Sequence, residues 1–512
     1  MHAVAAWGEK GTIMALSRRD FLKVGGLGCI VMGAGAMAGC APKSESEGEG
    51  AAEGDNLANY KPVDFKKNVD VLIIGTGYAG AAAAMEPALA GKTIILADKK
   101  SAPGGDSLGS CSFMFASGTK LQLDAGIPMT IDQYWDASKD KLTAQDDHEW
   151  FGEWVKGLTY ANTEFVDCAM QNFGAEFLEP CTEEELPRLF SSVILPKEGI
   201  GYGGKYILTP ILNKLQEMGA ELMLDSRATA LILNADGAVI GCRFEDAQTG
   251  KITDIQASSV VLATGGFADN GEMVFENIPD WANYAQLVHG CTGDGHKLGV
   301  AAGAALHGMD SSYKHCNLMG DIPNCTTWGY WTPIVLVLPN GKRFIKEDQS
   351  HDAALACVEA GYREWWSIFD HKAFEARAIA SSVNSNIEVH SDVYVTADTV
   401  EELAEKMDVP VDNLVATFKR HDELMASGED TDFGKQTWLQ PLEPPFHALK
   451  LNVCRYKTSG GFLCGPNNEV LDTNDEEIPG LYACGACALM SKASASQCFA
   501  TGYYTGQTIA AK

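Results

Sequence analysis

No Cys-x-x-Cys-His occurs in the 512 residues, so no c-type haem is attached to this chain, and any electrons it uses arrive from another protein. Positive charge is scarce too. With 39 Lys and Arg against 68 Asp and Glu, the formal net charge of -29 excludes the basic stripe a nucleic-acid surface needs to displace phosphate counterions. The 15 cysteines lack regular spacing in so long a chain, which rules out a disulfide framework, and most are expected to be small buried hydrophobes. No apolar run is long enough for a bilayer span; Val24 to Gly39 is short and glycine-rich. What remains is an ordinary globular composition, 46% hydrophobic, long enough for on the order of two to four domains. The acidic exterior favours solubility, and encounter with a basic electron carrier is a second, narrower reading.

The amino terminus reads as an address. Ser17-Arg18-Arg19-Asp20-Phe21-Leu22-Lys23 precedes the apolar run, and residues 1–40 resemble a twin-arginine export signal. The run closes on Met37-Ala38-Gly39-Cys40, which resembles a lipobox with Met37 where leucine is usual. Lipidation of Cys40 is the preferred reading, and cleavage after Ala38 is the alternative. Residues 41–65 are expected to be a flexible linker. The expected location is extracytoplasmic, periplasmic or cell-surface, with membrane attachment through Cys40. Twin-arginine export carries proteins already folded around a cofactor, so the signal implies a cofactor site downstream.

Val69-Asp70-Val71-Leu72-Ile73-Ile74 is an apolar, β-branched run of the kind that makes a buried parallel strand, and it leads into Gly75-Thr76-Gly77-Tyr78-Ala79-Gly80 and an alanine-rich segment. That is strand, glycine turn, helix. Gly75 permits the tight turn, Gly77 lets the backbone approach a pyrophosphate, and Gly80 lets helix and strand pack closely, with the helix N-terminus offering amides to phosphate. Lys92 to Ala97 supplies a second strand and Asp98 the ribose-binding acid. Pro87 is expected to kink the helix near its end.

Further along stand Gly104-Gly105-Asp106-Ser107, then Ala263-Thr264-Gly265-Gly266-Phe267 after the strand Ser259 to Leu262, then Thr292-Gly293-Asp294-Gly295, and finally Ile478-Pro479-Gly480-Leu481-Tyr482-Ala483-Cys484-Gly485. From about residue 68 onward this ordered set resembles the flavoprotein family of fumarate reductases, succinate dehydrogenases and 3-ketosteroid dehydrogenases, which includes urocanate reductase-like members. The resemblance implies an α/β fold with FAD as cofactor and no metal. It implies a discontinuous Rossmann-like FAD-binding domain over 66–308 and 457–512, with an α+β capping domain, 309–456, inserted over the isoalloxazine. The cofactor contacts it implies are Gly75, Gly77, Tyr78, Ala79, Gly80, Asp98, Lys99, Gly105, Asp106, Ser107, Arg227, Ala263, Thr264, Gly265, Gly266, Asp294 and Gly485.

In the soluble fumarate reductases of that family, cationic side chains clamp two carboxylates and an arginine delivers the proton that follows hydride transfer. The first substrate histidine falls on His315 here. After Gly341-Lys342-Arg343-Phe344-Ile345-Lys346-Glu347, which resembles the family's Gly-x-Arg-Phe-x-x-Glu, the proton-donating arginine falls on His351, followed by the expected Asp352. The relay positions fall on Thr326, Thr327 and Tyr330, keeping the threonine and losing the acid and the arginine. The second substrate histidine falls on Lys457, and the loop Ala486 to Ser496 contains no arginine, with Lys492 its only cation. The dicarboxylate clamp is largely absent, so fumarate and succinate are not expected as substrates.

The expected activity is that of an exported flavin-dependent reductase in anaerobic respiration. It would transfer hydride to an activated C=C of an enone, a steroid or an aromatic unsaturated acid, with electrons from an external cytochrome or FMN-binding protein. Tyr330, His351, His315 and Lys457 are the candidate catalytic residues. Steroid dehydrogenation, with Tyr330 and Tyr456 as its tyrosines, is the alternative, and a non-catalytic flavin-binding or electron-transfer protein is the alternative of another class. Trp328, Tyr330, Trp331, Trp365 and Trp366 crowd the cap either as core or, where two or more face the flavin, as walls for a planar ring. Cys484-Gly485-Ala486-Cys487, with Cys454, Cys464 and Cys498 nearby, reads either as a redox site or, preferentially, as small packed residues.

Overall fold

The computed structural model describes residues 5–7, 13–15, 63–143, 149–187, 191–310, 318–322, 324–458, 460–488 and 494–512. Contacts divide the chain into Met1–Asp55 and Asn56–Lys512. In the first unit, Ala5–Trp7 pairs antiparallel with Ile13–Ala15. The twin-arginine pair, Cys40, most of the 41–65 linker, His315 and Lys492 lie outside the described residues. Among the described residues, no helix is long and apolar enough to cross a membrane.

The second unit is α/β and rests on two larger sheets. The first begins with the strand Lys67–Ile74 (β1), followed by the helix Tyr78–Leu89 (α1) and the strand Ile94–Ala97 (β2). Later come Ile252–Leu262 (β3) and Glu477–Ala483 (β4). Spatial order along the sheet is Glu469–Leu471, β4, β3, β1, β2, Glu221–Met223, with β4, β3, β1, β2 and Glu221–Met223 mutually parallel. Alternate residues of β1 feed different cores. Val71 and Ile73 pack with the alanines of α1, while Leu72 and Ile74 pack with Phe244, Val260 and Leu262 on the other face. Covered on both sides, the strand reads as a continuous apolar run rather than an alternating one. Each such side chain stabilises the fold by roughly 1.5–3 kcal/mol.

Register then sets the site. Leu262 is level with Ile74, Ile74 with Ala97 and Leu262 with Ala483, so β1 to β4 end together. The loops that follow them therefore gather at one sheet edge. Pro87 falls in the last turn of α1, and the helix continues past it to Leu89.

In the second sheet the strand Phe446–Arg455 is central, antiparallel to Glu364–Phe369, Tyr394–Ala397 and Leu318–Gly320, with Ile334–Val337 beyond Glu364–Phe369. Ala285–Gln286, from before the expected cap, joins the same sheet in parallel with Cys454 and Arg455. Trp328, Trp331 and Trp365 belong to this core together with Phe369, and Trp366 is buried in a second one, which accounts for most of the crowded aromatics.

Candidate active site

The gathered loops form one wall of a continuous cavity of about 1080 Å³. Gly75 adopts φ +114°, and a Cβ there would lie 2.2 Å from the Ala263 carbonyl oxygen, so both turn and strand spacing demand glycine. Tyr78 N–H donates to Ser107 Oγ at 2.9 Å and Gly104 N–H to Thr76 Oγ1 at 3.0 Å, which ties the Gly104–Ser107 segment over the start of α1. Of the cofactor positions expected from the sequence, all but Gly80 line the cavity. Gly80 sits inside the helix, where a Cβ would meet the Gly75 carbonyl oxygen at 1.9 Å.

Asp98 lines the cavity but also braces the turn. It accepts from Thr76 N–H at 3.1 Å, Thr76 Oγ1 at 2.5 Å and Lys100 N–H at 3.0 Å. Beside it Lys99 Nζ pairs with Asp294 Oδ2 at 3.0 Å, and Arg227 Nη2 stands 3.4 Å from Asp294 Oδ1. Burial works against ionisation of Asp294, but Lys99 and Arg227 outweigh it and hold the carboxyl below its ordinary range. Cys291 Sγ donates to Asp106 Oδ2 at 2.5 Å, and burial pushes Asp106 up. Sequence reasoning did not find that thiol.

The opposite wall comes from the second sheet's loops. Two 3₁₀ segments, Cys325–Tyr330 and Glu347–Asp352, cross closely because position 329 is glycine: a Cβ there would fall 1.9 Å from the Glu347 carbonyl oxygen. Across that contact Tyr330 OH hydrogen-bonds His351 Nδ1, and the rings stack with centroids 5.4 Å apart. His351 Nε2 lies 3.2 Å from Asp352 Oδ1. Two of the candidate catalytic residues, Tyr330 and His351, are thus a touching pair. Lys457 lines the same cavity, its Nζ 5.7 Å from the Tyr456 ring centroid, and burial pushes the Tyr456 phenol up.

Among the described residues lining the cavity, Arg227 is the only arginine, and Asp348 and Asp352 stand on the Tyr330 side. Of the cap aromatics, Tyr330 and Trp331 face the cavity while Trp328 and Trp365 are wholly buried in the core. The cavity continues between two helices, Ile131–Thr143 and Phe151–Phe173, along faces carrying Tyr134, Ser138 and Leu142, and Trp154, Leu158 and Asn162. Their spacing of four residues is helical periodicity and was readable beforehand.

Cys484 and Cys487 are buried, and Cys487 Sγ donates to the carbonyl oxygens of Leu262 at 3.1 Å and Cys484 at 3.3 Å. Burial pushes both thiols up, which disfavours the reactive thiolate. Among the described residues no group of three His, Cys, Asp or Glu side chains is placed to hold a metal.

A sequence profile described as FAD binding domain matches residues 70–498. A probable fumarate reductase of Shewanella frigidimarina is 28% identical over 431 residues, covering 82% of this chain and 70% of that protein. A vinyl phenol reductase of Lactiplantibacillus plantarum is 26% identical over 464 residues, covering 81% and 89% respectively. The solved open conformation of a flavocytochrome c3 fumarate reductase shares 26% identity with a TM-score of 0.68, covering 92% of this chain and 83% of that one.

Proposed function

This chain belongs to the FAD binding domain family and is an FAD-dependent oxidoreductase acting on CH–CH and C=C groups, and from that premise we propose that it reduces an activated C=C in an uncharged or singly charged, ring-bearing acceptor such as an enone, a steroid or an aromatic unsaturated acid. The residues present fit FAD. The glycine turn, where a Cβ at Gly75 would collide with the Ala263 carbonyl oxygen, and the α1 N-terminus suit a pyrophosphate, and Lys99 and Arg227, both paired with Asp294, line the same cavity. Bound FAD supplies the hydride. Residues 66–308 and 457–512 would hold it, with 309–456 as the cap.

The observation that carries the reading is the Tyr330–His351–Asp352 chain in the wall of the cavity that also contains the glycine turn. Tyr330 gives its hydroxyl proton to the carbon adjacent to the one that receives hydride, and takes a proton from His351 Nδ1. Asp352, beside Nε2, favours the charged imidazole beforehand. A dianion is disfavoured, because the one arginine lining the described cavity is engaged with Asp294 and Asp348 and Asp352 face the donor side. Lys457 suits one carboxylate or a polarised carbonyl. The raised Tyr456 phenol stays protonated, which favours donation over the proton abstraction that steroid dehydrogenation requires.

Anaerobic assays with reduced methyl viologen against enones and cinnamates test the direction and class. Viologen oxidation is expected with at least one of them and none with fumarate. Turnover only of saturated substrate with an artificial oxidant would reverse the reading. Export through Arg18-Arg19, lipidation at Cys40 and an external cytochrome or FMN-protein donor belong to the same proposal, supported by the motif and the lack of Cys-x-x-Cys-His. Membrane association abolished by Cys40→Ser is the expected outcome.

A further inference from the structure

The strap from Asp430 to Trp438 contributes only Thr437 to the described cavity lining, yet it carries a dense set of directed bonds. Asp430 Oδ2 pairs with Arg343 Nη2 at 2.8 Å and accepts from Lys435 N–H at 3.3 Å. Arg343 grips Glu347 through Nε at 2.7 Å and Nη2 at 2.8 Å, and Lys435 Nζ stands 3.8 Å from the same carboxylate. One residue on, Asp348 Oδ2 accepts from Gln436 N–H at 2.7 Å and Thr437 N–H at 3.2 Å. These bonds hold the segment that carries His351.

The other member of the pair is held from the same strap. Tyr330 is the last residue of its 3₁₀ turn, so its carbonyl points out of that turn's end toward the strap. Trp438 Nε1–H donates to it at 3.2 Å. Trp438 itself adopts φ +56°, a conformation that bulky residues rarely keep unless their surroundings over-determine it, and such residues cluster at functional sites. The side chains of Arg343, Glu347, Asp430 and Lys435 are 5% exposed or less. Buried ion networks are commonly no more stable than apolar packing of the same volume, so stability alone does not account for this one, whereas directed bonds fix orientation.

We propose that the strap, through Trp438 above all, is the positioning element that sets the Tyr330 hydroxyl against the His351 ring. The inference rests on Tyr330 and His351 being the proton-donor pair. Trp438 is a positioning residue, acting through Tyr330.

Trp438→Phe keeps an aromatic ring and removes the N–H. With reduced methyl viologen and a cinnamate or enone that turns over, kcat is expected to fall about 3- to 10-fold, the range of one lost hydrogen bond. KM should stay within about twofold, the FAD absorbance should be unchanged, and the kcat–pH profile should shift. Because Trp438 acts through Tyr330, the double variant with Tyr330→Phe should be no slower than Tyr330→Phe alone. Where Trp438→Phe does not fold, Asp430→Asn loosens the other end of the strap and should give the same signature. Wild-type kcat and pH profile in the folded variant, or additive losses in the double variant, overturn the inference. If Tyr330→Phe itself leaves kcat intact, the donor reading falls instead, so the two failures are distinguishable.

Discussion

The two walls of the cavity are built on different principles. The flavin-side wall is backbone: loops brought level by strand register, with glycines where a Cβ would collide. The donor-side wall is side chains: Tyr330, His351 and Lys457, delivered from separate stretches by the second sheet and its crossing 3₁₀ segments. A backbone site constrains φ and clearance at each position, which leaves glycines in the sequence. A side-chain site constrains relative placement, which leaves almost none.

The comparison breaks if damage to one wall does not spare the other. The largest effect is expected from Gly75→Val, where the new Cβ meets Ala263 O at 2.2 Å on a left-handed backbone. Overpacking of about 1–3 kcal/mol adds to the strain, and the purified protein should carry no flavin absorbance. FAD retained at wild-type occupancy would show that the turn is not the cofactor cradle. Next is Gly329→Ala, which forces apart the segments carrying Tyr330 and His351. A misplacement on the order of 1 Å is expected to cost about 100-fold in kcat/KM, with FAD content unchanged, and loss of FAD would mean that the walls are coupled.

The smallest effect concerns pH. His421 in the cap makes no hydrogen bond through either ring nitrogen; burial first, then the Lys435 and Arg343 charges, pull its pKa to about 4. On the flavin side His296, packed between Phe267 and Phe462, is pulled by burial to about 4 as well. A folded-state value below the ordinary 6.5 means the stability is fully present above pH 6.5 and is lost as pH falls from there toward 4. Thermal melts should show Tm dropping through that window. His421→Leu, which gives up no hydrogen bond, should flatten the drop while leaving Tm at pH 7 within a few degrees. An unchanged slope would show that His421 is not uncharged in the folded cap.

Much of the flavin side was legible because its determinants are local. Val69 to Gly80 announces strand, turn and helix through β-branching and glycine spacing, and Asp98 follows at the end of the next strand. Asp98 shows where that legibility stops: its carboxylate also braces Thr76, a contact between residues 22 apart that spacing does not display. On the cap side, Tyr330 and His351 were reached only by matching positions to a family. Gly329, Cys291 and Trp438 escaped notice because a lone glycine, thiol or indole has no pattern until its neighbour is known.

The sequence by itself determined the α/β class and the strand–glycine turn–helix unit, since each depends on short-range chemistry such as β-branching and Cβ clearance, and it pointed to FAD through the order of its glycine motifs. Only the tertiary structure decided that Tyr330 touches His351, that Asp352 stands behind it, and that Trp438 and the buried Arg343–Glu347–Asp430 network meet the same two segments. Those contacts join residues as many as 108 positions apart, and their geometry comes from two sheets packing and two turns crossing at a glycine, which no window along the chain encodes.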